Sequence, residues 1–218
     1  FGPRMWRIDF FQNQNYARAM YQLDSILNDD DIKYDHMAHA VTMHNKGVVH
    51  LVSGDFQMAV VQFQQAIKAK RAIEGIDQKN YILETMEQMG IALYACRDID
   101  SATSTFQKII SMAPNDSSIS TRAWNALGCC FNQNQKEQFA MQCFVKSSQL
   151  GESLIGKIAL ANLGYYKYRL GDPRAVNVMR DASESLQDFL GSDDSIVSNV
   201  NNNTKLAICD GIPNNILA

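Results

Sequence analysis

Three glycines recur in one register, each followed by an alanine twelve residues later and a phenylalanine sixteen residues later. They are Gly47–Ala59–Phe63, Gly90–Ala102–Phe106 and Gly128–Ala140–Phe144. A glycine inside a helix costs roughly 1 kcal/mol relative to alanine, so its return at a fixed spacing calls for a packing reason. Small residues let two antiparallel helices cross closely, and the aromatic fills the space between units. A weaker fourth unit has Leu160, Leu163 and Gly164, a turn at Gly171-Asp172-Pro173, and Val176 where the alanine is expected. Such a chain folds by stacking helix pairs, without one central core.

The sharpest copy runs Trp124-x2-Leu127-Gly128-x2-Phe131, then Ala140-x3-Phe144. It resembles the tetratricopeptide signature W-x2-L-G-x2-Y…A-x3-F, with one aromatic exchanged. The resemblance implies an all-α, right-handed solenoid of antiparallel helix pairs, with about four full repeats. A degenerate unit precedes them, since Ala17 and Tyr21 stand four apart like the later alanine and phenylalanine, and Met5 to Phe11 would be the rest of its first helix. The stretch Asn28-Asp29-Asp30-Asp31 breaks that helix and caps the next. Successive unit glycines lie 43, 38 and 36 residues apart, longer than the plain repeat of about 34. The repeat domain is expected over residues 1–190. The asparagine-rich stretch 191–218 reads as a polar tail, or at most one poorly anchored helix near Thr204 to Cys209.

A 43-residue interval and a second helix ending Ala66-Ile67-Lys68-Ala69-Lys70-Arg71 resemble the repeats of kinesin light chains. In repeats of that type, asparagines near the middle of successive first helices line the concave groove and bond the backbone of an extended peptide. The resemblance therefore implies a groove through Asn45, Gln88, Asn125 and Asn162, flanked by His44, Val48, Ile91, Asn132 and Tyr165. An amide side chain both donates and accepts, so a ladder of them can satisfy successive peptide units. The competing reading is that these amides cap or bridge neighbouring helices. Glu84 and Glu87 would repel an acidic tail, which favours a neutral or basic partner with apolar anchors; Arg122 and Arg169 form a second, positive zone.

Composition excludes several other classes. A net charge of −3 and a pI near 5.8 leave no electrostatic footprint for nucleic acid. Lys68, Lys70 and Arg71 read as a solvated helix end. No apolar run reaches the roughly 18 residues of a membrane span. Cys96, Cys129, Cys130, Cys143 and Cys209 make an odd set without framework spacing. They read as reduced core thiols, which points to an intracellular, reducing compartment. The chain opens Phe1-Gly2-Pro3 and not on methionine, the mark of a processed or partial chain.

Nothing in the residues points to catalysis. Phosphate loops, nucleophile elbows and H-E-x-x-H are absent. His36, His39, His44 and His50 fall in one helix, but a zinc site wants three or four converging ligands. His50 stands where the repeat expects an aromatic. Neither a metal nor a cofactor is expected. The sequence therefore predicts a non-enzymatic adaptor that binds a peptide or partner helix in its groove. The alternative is a structural subunit of a larger assembly that uses its flanks. Apolar residues exposed on the terminal helices would favour that alternative, and Met179, Leu186, Phe189 and Leu190 are the candidates.

Overall fold

The computed structural model describes residues 15–29, 35–73, 79–114, 117–150, 153–192 and 194–209. Within them run ten helices. They are α1 (Tyr16–Leu27), α2 (His36–Ser53), α3 (Phe56–Ala72), α4 (Lys79–Ala95) and α5 (Ile99–Met112), then α6 (Ser117–Gln133), α7 (Glu137–Gln149), α8 (Leu154–Arg169), α9 (Ala175–Leu190) and α10 (Ser195–Cys209). The chain forms two compact units, divided within α5 between Thr105 and Phe106.

Short side chains start the helices. Asp35 accepts from the N–H groups of Met37 and Ala38 at 3.0 Å each, so it caps α2 in place of the Asn28 to Asp31 stretch. Asp55, Asp98, Ser153 and Asp194 do the same for α3, α5, α8 and α10.

One turn recurs where the first helix of each pair meets the second. Gly54, Arg97, Gln135 and Gly171 hold φ of 86, 69, 57 and 71°, each seven residues after its unit glycine. Each turn closes with the same two backbone bonds. Gly54 N–H donates to Leu51 and Asp55 N–H to His50, and the pattern repeats as Arg97 to Tyr94 with Asp98 to Leu93. Gln135 to Asn132 with Lys136 to Phe131, and Gly171 to Tyr168 with Asp172 to Lys167, complete the set. This is the Schellman ending, which satisfies the last carbonyls of a helix through one left-handed residue.

In the first unit Phe63 is fully buried with Val48, Ala59 and Ala92. A methyl placed on Gly47 would lie 2.6 Å from the Phe63 ring, so the helices meet at the distance the glycine permits. Gly90, Ala102 and Phe106 are likewise buried. At the other end of the unit, α1 seats Ala19 and leaves Ala17 and Tyr21 exposed. The pair expected to pack is therefore the open one. Met5 to Phe11 lies outside the described residues.

In the second unit Gly128 faces Phe144 at 2.6 Å on the same measure, and Phe144 stacks on Tyr166 with centroids 5.6 Å apart. Trp124 is half-buried, and Ala140 is sealed. The fourth pair is shifted by one residue from its expected register. A methyl placed on Gly164 would lie 2.5 Å from Met179 Cγ and 3.1 Å from the Met179 backbone nitrogen, and Ala175 is fully buried. The matching pair is thus Ala175–Met179, one position ahead of Val176, because the interval from the left-handed turn residue to the buried alanine is four residues here and five in the other pairs.

The asparagine-rich stretch also differs from its expected form. It is helical from Ser195, with Val197 and Val200 buried against Ala161, Ala182 and Leu186. Ser183 Oγ donates to Asn201 Oδ1. Its outer positions Ser195, Ser198, Asn199, Asn202 and Lys205 are exposed and polar. Leu186 is buried in that cluster, Met179 is buried with Ala175 and Val176, and Phe189 stays exposed under the Lys157 ammonium at 5.2 Å.

Candidate functional site

The even-numbered helices carry the residues expected to line a groove. In the first unit these are α2 and α4, linked by a hydrogen bond of 3.0 Å between His44 Nδ1 and Thr85 Oγ1. Thr85 is fully buried and also accepts from Lys70 Nζ at 2.7 Å, and Lys70 donates again to the Tyr81 carbonyl at 3.0 Å. Three helices thus meet at one hydroxyl.

Lys70 is only 3% exposed, whereas Lys68 and Arg71 lie in solvent. The basic helix end is therefore split, with one member serving as an internal strut. Burial pulls the Lys70 ammonium down to about 8, a loss only partly opposed by Glu84. Helical phase was the legible signal, since Phe63, Ala66, Ile67 and Lys70 share one stripe.

The expected groove residues of this unit separate into two sets. His44, Val48 and Glu87 are buried, so they belong to the interior and not to an open wall. Their small or bonded surroundings account for it: Val48 packs with Phe63, and the His44 ring lies 5.7 Å from that same ring. Asn45 and Gln88 are half-exposed, and Glu84, Ile91 and Tyr81 are exposed. The outward surface of α4 thus carries Lys79, Asn80, Tyr81, Glu84 and Ile91.

In the second unit α6 and α8 bring Asn125 and Asn162 together. Asn162 Nδ2 donates to Asn125 Oδ1 at 3.2 Å, and both side chains are half-exposed. These two amides therefore bridge neighbouring helices, with part of each side chain open to solvent. Tyr165 is exposed with its ring 5.8 Å from Tyr166, and Asn132 is half-buried. Arg122 Nη1 donates to Ser118 Oγ at 2.9 Å. Arg169 pairs with Glu137 at 2.8 Å and lies 6.0 Å over the Tyr166 ring, so the second zone is less positive than its sequence.

The remaining candidates for chemistry are dispersed. His50 faces Asp55 at 3.3 Å, away from the His44 contact. Among the described residues no three of His, Cys, Asp or Glu are grouped to hold a metal ion. Cys96 and Cys129 are half-buried and Cys130 and Cys143 buried, all as free thiols. Burial raises the Cys129 thiol, and raises that of Cys143 to about 12 with help from Cys130, so these sulfurs stay protonated and unreactive. No helix among the described residues is long and apolar enough to cross a membrane.

No family model and no curated protein matches the chain. Solved structures do. BtubC (BKLC) from P. vanneervenii is 17% identical with a TM-score of 0.69, covering 92% of this chain and 85% of that one. YrrB, described as a TPR protein with an unusual peptide-binding site, is 15% identical with a TM-score of 0.56, covering 88% and 87%. The Rap conjugation gene regulator of plasmid pLS20, solved with the Phr* peptide, is 18% identical with a TM-score of 0.67. That match covers 92% of this chain but 59% of the regulator, so the chain spans about three-fifths of its length. At such identities the likeness establishes architecture, and no special kinship with kinesin light chains follows from it. The fold is that of the tetratricopeptide-type helical repeats.

Proposed function

We propose that this chain is a non-catalytic interaction scaffold that holds an extended peptide or a partner helix against its even-numbered helices. The observation that carries the reading is the half-exposed amide pair Asn125–Asn162. Their mutual bond uses one acceptor and one donor. The N–H donors of Asn125 and the carbonyl of Asn162 stay outside that bond, and together they match one peptide unit. Exposed Tyr165 beside them, and Ile91 in the first unit, offer apolar contact. Exposed Glu84 on α4 favours a neutral or basic segment there.

One further fact supports a peptide-binding mode, although Tyr21 of α1 and Phe189 of α9 stay exposed as the flank alternative calls for. YrrB and the Rap regulator, which share the fold, have a peptide-binding site and a bound peptide respectively.

The test is a titration of the Asn125→Ala/Asn162→Ala variant with the segment of a partner identified by affinity capture and mass spectrometry. Losing two neutral hydrogen bonds of about 1 kcal/mol each weakens binding roughly tenfold or more. Far-UV circular dichroism should be unchanged. Equal affinity for both proteins rejects the assignment.

A further inference from the structure

A second surface, separate from the amide pair, has the makings of a docking site. Within the second unit a slot of about 270 Å³ opens between the end of α5 and the helices α6 and α7. Its floor is Leu127 and Cys143, each 3% exposed. Its walls are Ile110, Trp124, Phe131 and Phe139. The Phe131 and Phe139 rings tilt together with centroids 5.5 Å apart, and Phe139 is nonetheless 56% exposed. Cofactor and drug-like pockets begin at about 300 Å³, so this space suits one large apolar side chain. Exposed aromatics around a small recess are the usual anchors of protein contacts.

The charge around the slot indicates what brings that side chain. Lys146 is the ionisable group of the rim apart from the Cys143 thiol, beside the neutral Gln107 and Gln142. Lys108 follows Gln107 and Lys136 precedes the first turn of α7, and both are exposed. Among the described residues none of these three lysines makes an ion pair. Glu137, the acidic group at the start of α7, is held by Arg169 at 2.8 Å. Between Phe106 and Leu150 the sequence sets Lys108, Arg122, Lys136 and Lys146 against Asp116 and Glu137, in a chain whose net charge is −3. The slot is an apolar recess whose lining carries one lysine, Lys146, and no carboxylate.

We infer that the slot docks an acidic peptide segment through one aromatic or leucine side chain, with carboxylates of the segment facing Lys146 and its neighbours. Burial of the inserted side chain supplies the affinity, and the lysines select the sign of its flanks. This occupant differs in charge from the one favoured by α4, so the two surfaces do not compete for one ligand.

The probe is a synthetic pentapeptide with phenylalanine between two glutamates on each side, titrated into the full chain labelled with ¹⁵N. Counterparts carry lysine flanks, or alanine at the centre. We expect a saturable shift of the Trp124 indole N–H and of the Phe139 and Lys146 amides. Phe139→Ala should weaken binding at least fivefold. Lys146→Gln should weaken it about threefold and reduce its salt dependence, with folding of both variants checked by circular dichroism. Asn125→Ala/Asn162→Ala should leave this binding unchanged, which separates it from the scaffold reading. The inference is overturned if the lysine-flanked or alanine-centred peptide binds as well. It is equally overturned if no saturable shift occurs, or if the shifts gather at Asn125 and Tyr165. Self-association in sedimentation equilibrium that Phe139→Ala abolishes would assign the slot to a second copy and also overturn it.

Discussion

Replacing Gly128 by alanine sets two effects against each other. Alanine gains roughly 1 kcal/mol of helix propensity over glycine. Against that gain, the new methyl would stand 2.6 Å from Phe144 Cε1 and 2.9 Å from both Cδ1 and Cζ. Carbon atoms settle at about 3.5–4.0 Å, so three ring atoms lie inside contact distance. The ring cannot retreat, because Phe144 is 1% exposed and stacked on Tyr166. Either α6 and α7 part or the ring leaves its rotamer, and overpacking of this kind typically costs about 1–3 kcal/mol. Three short contacts place the site at the upper end of that range, for a net loss of about 1–2 kcal/mol. Urea unfolding followed by circular dichroism should show a lower midpoint at unchanged slope. In a Phe144→Leu background the ring atoms are gone, and the same alanine should be neutral or stabilising by up to about 1 kcal/mol. A raised midpoint for Gly128→Ala alone, or equal effects in both backgrounds, refutes the close-crossing argument.

Other positions give separate checks. Arg97 and Gln135 occupy left-handed turn positions that glycine fills in the sister units, so Arg97→Gly and Gln135→Gly should each stabilise by about 0.5–1 kcal/mol; lower urea midpoints would contradict this. Lys70 releases its proton at about 8 when folded and near 10.5 when unfolded, so the unfolded chain binds more protons between those values. Wild-type stability should therefore rise relative to Lys70→Met from pH 8 to 10.5, by about 1–3 kcal/mol, and a flat difference across that window would remove the buried strut. Truncation after Leu190 uncovers the surface that Val197 and Val200 seal, so the second unit should lose about 3–6 kcal/mol, from roughly 1.5–3 per buried valine. Unchanged thermal unfolding of the truncated chain would mean that α10 does not cap the stack.

Much of the architecture was legible because a tight helix crossing has a local chemical requirement. At Gly47 and Gly128 the small residue and the aromatic are specified by one contact, so their letters recur together. The fourth unit's pair Ala175–Met179 was hidden because Met179 stands in for the aromatic, a flexible side chain that leaves no signature. The turn at Gln135 was equally silent, since glutamine at a left-handed position carries no mark, whereas Gly54 and Gly171 do. Hydrophobic phase would have placed Lys70 inside, but charge spoke louder than periodicity in reading the helix end. The candidate site was half legible. Bridging amides were one of the two readings, and Asn125 and Asn162 do bridge, while His44, Val48 and Glu87 went inward where an open wall was expected.

By itself the sequence marked the order of the helices built around Gly47, Gly90, Gly128 and Gly164, and the close contacts at Gly47 and Gly128. Those features depend on residues near each other in the chain, where backbone cost and side-chain size act directly. Tertiary structure alone decided which polar groups are buried and with whom. Lys70 meets Thr85, Thr85 meets His44, and Asn125 meets Asn162, across separations that only folding closes. It also decided that the asparagine-rich stretch from Ser195 packs as a helix. Val197 and Val200 are too few to announce a helix locally, and they become one only when Ala161, Ala182 and Leu186 give them a surface to cover.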